Sequence, residues 1–153
     1  MKQKIYIDNS VLGGYFDKDF KQDTRKLFDR IRKGDFIIHL SEISELELLE
    51  APEYVKDLKK EIPNDCLVNL ELNEDAKYLA ENYIKEKILT KSNINDAYHI
   101  AIATVNRIDV LISWNFRHIV NLNKIRLFNS VNLKLGFPQI DIRTPKELIN
   151  YED

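Results

Sequence analysis

Cysteine is almost absent: Cys66 is the only one, so there is no internal disulfide and no cage of thiolates for a metal. Glycine and proline are scarce too, four of each in 153 residues, and no linker, low-complexity stretch or internal repeat interrupts the chain. One domain spanning residues 1–153 is therefore expected. No apolar run approaches the roughly 20 residues of a membrane-crossing helix. Met1-Lys2-Gln3-Lys4 leads into a strand with no signal-peptide core behind it, which fits a cytoplasmic protein with no membrane partner. Acid is missing from one region: between Val110 and Ile140 there is no Asp or Glu, while Arg117, Lys124, Arg126 and Lys134 are all present. The formal net charge of −2 gives no overall attraction to a polyanion, so any such attraction is local to this stretch. A solvated helix face is the alternative reading of the same charges.

What the chain does have is an alternation of strand and helix signals. Apolar runs at 4–8, 36–40, 66–70, 108–115 and 139–143 read as strands. Between them lie a short helix or turn at 10–16 and helices at about 21–33, 41–51, 53–61, 74–87, 93–104 and 121–135. Gly34 and Gly136 are placed as stops. Asn73 is a cap, and Thr144-Pro145-Lys146-Glu147 starts a last helix with an N-cap, Pro at N1 and Glu at N3. In the helix opening at Asn93, the buried face is Ala97, Ile100, Ala101 and Thr104. In the helix at 121–135 it is Ile125, Leu127 or Phe128, Val131 and Leu135. This alternation predicts an α/β protein, a parallel sheet with helices on both faces.

Such sheets bind ligands beyond the carboxyl ends of their strands, where the winding direction reverses. Asp8 closes the first strand and Asn115 the fourth. A carboxylate at a buried strand end is costly unless it has a task such as holding a cation. Asp96, in a helix's first turn, is a second candidate, although acids there also complement the helix dipole and Asn93 would then be the cap. The helix from Ser41 offers Glu42, Glu45, Glu47 and Glu50, of which Glu47 is placed to point back into the crevice. The carboxylates of Asp8, Glu47 and Asp96 are expected to converge within about one coordination sphere, with waters between. His99 reads as a surface or packing residue, His118 as a packed or capping histidine, and Asn115 alone as a turn residue. A metal-dependent hydrolase is the leading expectation.

Together, Tyr6-Ile7-Asp8-Asn9-Ser10-Val11-Leu12, Ser41 with Glu47-Leu48 and Ala51-Pro52, Asn95-Asp96-Ala97-Tyr98-His99-Ile100-Ala101 and Leu111-Ile112-Ser113-Trp114-Asn115-Phe116-Arg117-His118 resemble a PIN domain. The resemblance is to the VapC-like toxin branch, and Asn132 to Gly136 and Ile142 to Leu148 also match it. It implies a three-layer α/β/α fold with a five-stranded parallel sheet of order 3-2-1-4-5. It implies a Mg²⁺- or Mn²⁺-dependent endoribonuclease, the toxin of a toxin–antitoxin pair, with RNA as substrate, a cognate antitoxin as partner and a homodimer as assembly. Residue by residue, Asp8, Glu47 and Asp96 match the three core acids that hold the metal, and Ser10 matches a hydroxyl supporting the first. Asn115 stands in the catalytic set where many members have a fourth acid, which puts a second metal in doubt. Arg117, His118 and Lys124 are the candidates for holding the RNA backbone. The alternative is a catalytically weak PIN-fold module that binds RNA or a protein. A phosphate-accepting signalling domain fits poorly, because the third strand ends Asn69-Leu70-Glu71 without the acceptor Asp. Gly13-Gly14 does not make the glycine fingerprint of a dinucleotide-binding protein.

Overall fold

The computed structural model describes residues 1–151. Strands β1 (Gln3–Ile7), β2 (Phe36–Ser41), β3 (Leu67–Leu70), β4 (Val110–Ile112) and β5 (Ile142–Arg143) form one sheet in the order β3-β2-β1-β4-β5. Every pairing is parallel, so the expected architecture and strand order are both found. The chain winds outward from β1 through β2 to β3, then crosses back to β4 on the other side of β1. The reversal therefore lies between the carboxyl ends of β1 and β4, where Ile7 pairs with Ile112 and Asp8 N–H donates to the Ile112 carbonyl at 3.3 Å.

Each sheet face buries its own cluster. One takes Ile5, Ile7, Ile38, Leu40, Val110 and Ile112 with Leu27, Phe28 and Ile31 of α2 (Lys21–Arg32), Val11 and Leu12 of α1 (Asn9–Gly14), and Leu148 and Ile149 of the last helix. The other takes Tyr6 and Leu111 with α5 (Glu74–Lys85), α6 (Ile94–Val105) and α7 (Leu122–Lys134). Burying an Ile or Leu is worth about 1.5–3 kcal/mol. A one-residue slip of β1 would exchange Tyr6 for Ile5 and Ile7 between faces, so packing holds the register that places Asp8. The remaining helices are α3 (Glu42–Leu48), α4 (Glu53–Lys59) and α8 (Pro145–Tyr151).

Local signals explain most boundaries. The Ser41 hydroxyl accepts from Ile43 N–H while the Ser44 hydroxyl accepts from Ser41 N–H, starting α3 at once. Asn73 caps α5 through Ala76 N–H, and Thr144 and Glu147 cap α8 reciprocally. Gly34 ends the α2 segment at φ +76°, a conformation open to glycine. Gly14 packs so closely on Trp114 that a Cβ would stand 2.7 Å from its ring.

Some expectations are corrected. β5 is shorter than 139–143 because Asn129 bonds both Ile140 N–H and Ile140 C=O, withdrawing that residue from the ladder. β4 covers Val110–Ile112 rather than 108–115; beyond it the Ser113 hydroxyl turns to Asp8 and Trp114 N–H to the Ser10 hydroxyl. Helix α3 stops at Leu48, short of Ala51. In α7 Phe128 faces inward and Leu127 outward, with Ile125 and Leu135 half-buried. The predicted face of α6 is buried, and so are His99, Ile102 and Ala103, because the helix is wedged between the sheet and α5.

Candidate active site

Asp8 lies just past β1 and is only 4 % exposed. Its Oδ1 accepts from Ser10 Oγ at 2.5 Å and its Oδ2 from Ser113 Oγ at 2.7 Å. Each hydroxyl is itself oriented by a backbone donor, Ser10 by Trp114 N–H at 2.8 Å and Ser113 by Asn115 N–H at 2.9 Å. Both hydroxyl protons therefore point at the carboxylate. Burial pushes the Asp8 carboxyl above its ordinary range, against the pull of His99 and the two serines, and Glu47 adds to the rise.

Asp96 sits in the first turn of α6, half-buried, and accepts from Asn115 Nδ2 at 3.4 Å. Its carboxyl is raised to about 6, first by burial and then by the charges of Asp8 and Glu47, with His99 and Asn115 opposing. Asn93 makes no side-chain cap on α6. Asn115 is oriented unambiguously: its Oδ1 accepts from Arg117 N–H at 3.2 Å and His118 N–H at 3.0 Å, so its amide faces Asp96. It is a turn residue by its oxygen and a partner of Asp96 by its nitrogen.

Glu47 points into the crevice, where its Oε1 accepts from His99 Nε2 at 2.5 Å. Two other glutamates of α3 are engaged elsewhere: Glu42 accepts from Leu72 N–H and Glu45 pairs with Lys59, while Glu50 is exposed.

The three acids share one electrostatic environment: Glu47 raises Asp8 and Asp96, and Asp8 raises Asp96. They do not converge as closely as expected: among the described residues, no three His, Cys, Asp or Glu side chains stand close enough together to ligate one ion as they are. Like charges repel, and each acid has been drawn to a local donor instead: Asp8 to two serines, Glu47 to His99, Asp96 to Asn115. The donor set nonetheless suits a hard cation. It is all carboxylate oxygen, and among the described residues none of the three is ion-paired with a lysine or arginine.

Beside the acids, Arg117, His118 and Lys124 line one polar cleft of about 530 Å³ with Thr90, Ser92 and Asn93. Asn93 Nδ2 donates to His118 Nε2 at 3.4 Å, and Lys124 Nζ is held by the Ile88 carbonyl at 2.9 Å. Burial and the adjacent Arg117 and Lys124 charges lower the His118 pKa. Sequence reasoning missed Ser113 and read His99 as a surface or packing residue. Ser113 follows Ile112, the partner of Ile7, so strand pairing alone puts it beside Asp8. His99 lies three residues after Asp96 on the same helix face, but its partners come from distant segments.

No protein-family model matches the chain, and no curated protein matches it significantly. Solved structures do. VapBC2 from Rickettsia felis bound to a promoter DNA fragment aligns with a TM-score of 0.58 at 14 % identity, over 92 % of this chain and 98 % of that one. FitAcB from Neisseria gonorrhoeae aligns at 0.56 and 14 % identity, over 92 % and 97 %. A toxin–antitoxin complex from Klebsiella pneumoniae aligns at 0.56 and 15 % identity, over 78 % and 93 %. At such identities the likeness is one of fold: the chain has the PIN-like α/β/α architecture found in these structures.

Proposed function

We propose that this protein is a Mg²⁺- or Mn²⁺-dependent endoribonuclease and the toxin of a toxin–antitoxin pair. The observation that carries the reading is the trio Asp8, Glu47 and Asp96, none of them, among the described residues, ion-paired with a lysine or arginine, at the winding reversal of this fold. A cognate antitoxin as partner is supported by the toxin–antitoxin complexes that share the fold. A homodimer is the proposed assembly.

Asp8, Glu47 and Asp96 would hold the divalent ion. When bound, it supplies neutralisation of phosphoryl charge and acidification of water. The chain's own residues do the rest. Ser10 and Ser113 favour the charged form of Asp8 and aim it, and Asn115 steadies Asp96 without adding charge. Arg117 and Lys124 would bind neighbouring phosphates of the strand by charge and His118 by hydrogen bonding, contacts that position RNA without reading sequence. Water adds across the P–O3′ bond, so the products end in a 5′-phosphate and a 3′-hydroxyl.

The test is cleavage of structured and unstructured RNAs by protein purified with Mn²⁺, beside an Asp8→Asn control. Cutting that needs Mn²⁺ and disappears with Asp8→Asn is expected; equal cutting by the variant would contradict the reading. One observation favours a second reading, a catalytically weak RNA- or protein-binding module: the side-chain oxygen of Asn115 is already spent on two backbone N–H groups. Such a module would hold its partner equally well with Mn²⁺ or with chelator.

A further inference from the structure

Tyr6 and His99 have no part in the reaction so far, yet both are polar groups buried in the core. Leaving such groups unpaired is costly. Their bonds form one continuous chain. The Tyr6 hydroxyl lies 2.7 Å from Ser41 Oγ and 2.6 Å from His99 Nδ1, and His99 Nε2 lies 2.5 Å from Glu47 Oε1. The rings of Tyr6 and His99 meet edge-on at 5.6 Å.

The direction of each bond follows from its ends. A carboxylate only accepts, so His99 Nε2 carries a proton and donates. In the neutral ring Nδ1 then accepts, so Tyr6 donates to it. The Tyr6 oxygen is left to accept from Ser41, whose Oγ already accepts from Ile43 N–H and has its proton free. Donors and acceptors balance at every link, from the cap of α3 through the middle of β1 and α6 back to Glu47 near the end of α3.

Glu47 needs such an anchor. Asp8 is short and gripped by two serines, whereas Glu47 stands in the last turn of a seven-residue helix. Its side chain has more rotamer freedom to lose. Among the described residues His99 is its hydrogen-bond partner, and only one oxygen is used.

We propose that Ser41, Tyr6 and His99 form a positioning chain that fixes Glu47 in the crevice through Oε1 and leaves Oε2 free for the divalent ion. The inference rests on the reading of Glu47 as a metal ligand. His99 and Tyr6 touch neither ion nor RNA; they act through Glu47.

The experiment is equilibrium Mn²⁺ binding to the full chain, wild type beside Glu47→Gln, His99→Leu, His99→Gln and Tyr6→Phe, each checked for fold by circular dichroism. Residues that orient a metal ligand typically account for a 10–100-fold change in affinity, so about that loss is expected for His99→Leu. Most of it should return in His99→Gln, whose amide N–H can donate to Glu47. Equal losses in both His99 variants would mean a packing role and overturn the proposal. If Glu47→Gln weakens Mn²⁺ binding and a folded His99→Leu does not, the chain has no role while the metal site stands. Should His99→Leu fail to fold, His99→Gln and Tyr6→Phe carry the comparison, with Tyr6→Phe expected to weaken binding and a wild-type affinity in it counting against the chain.

Nitrogen NMR of histidine-labelled, metal-free protein supplies an arm independent of the metal. His99 should show a protonated Nε2 and an accepting Nδ1, with Nε2 shifted in Glu47→Gln and Nδ1 shifted in Tyr6→Phe. A His99 signal indifferent to both substitutions overturns the chain. A wild type with this signature that binds no Mn²⁺ overturns the metal reading, and with it the purpose assigned to the chain.

Discussion

The two sides of the crevice are built differently. On the sheet side, Asp8 is buried and held by two short bonds from serines that are themselves held by backbone N–H groups. On the helix side, Asp96 is half-exposed and has one long contact, 3.4 Å, from an amide. Burial raises both carboxyls, but only Asp8 receives two compensating hydroxyl protons. Asp8 is thus a preorganised carboxyl at a rigid strand end, and Asp96 a less constrained, adjustable one.

The largest effect should come from the rigid side. Asp8→Asn removes the anchor, and cleavage should fall by more than the roughly 10–100-fold typical of losing a supporting residue. Ser113→Ala is next. It leaves one Asp8 oxygen and one backbone N–H unpartnered, and should lower Mn²⁺ affinity by about 10-fold and stability by about 1–3 kcal/mol, read by titration and urea melts. A wild-type affinity in Ser113→Ala would erase the distinction between the two sides.

The adjustable side should show itself through pH. A carboxyl raised in the fold favours its protonated form there, so its contribution to metal-free stability falls as pH rises from the unfolded value near 3.8 through about 6, and stays low above that. The difference between wild type and Asp96→Asn should therefore grow across that window, to on the order of 1 kcal/mol after solvent screening. Mn²⁺ should cancel it. A difference that stays flat from pH 4 to 7 would contradict the raised carboxyl.

Asn115→Asp is the finest test. One carboxylate oxygen can keep the Arg117 and His118 N–H bonds, while the other replaces a donor to Asp96 with a repelling charge. Metal-free protein should lose stability by about 1 kcal/mol, and Mn²⁺ should bind more tightly because ligand charge tunes affinity. Both changes should appear together in thermal melts with and without Mn²⁺.

The fold was readable from sequence wherever a short-range rule decided it. Alternating strand and helix runs, the Ser41 and Asn73 caps and Gly34 all act within a few residues. Asp8 and Asp96 were readable because an acid at a strand end or helix start stands out locally. What escaped depends on distant partners. Ile140 leaves the sheet because of the Asn129 side chain, eleven positions away. His99 reads as a packing or surface residue until Tyr6, 93 positions earlier, and Glu47 close around it. The expected convergence of acids failed for a similar reason: local donors, invisible in a run of letters, outcompete mutual approach among like charges.

We propose that these acids lack a lysine or arginine partner because they hold a divalent cation. Thermal unfolding at pH 7.5 with and without millimolar Mn²⁺, in wild type and Asp8→Asn, tests it most directly. A ligand at 100 times its Kd stabilises by about 2.7 kcal/mol, which in a chain of this size is a rise of several degrees. The account predicts that rise in the wild type and none in Asp8→Asn; a wild-type melting temperature unmoved by Mn²⁺ would contradict it.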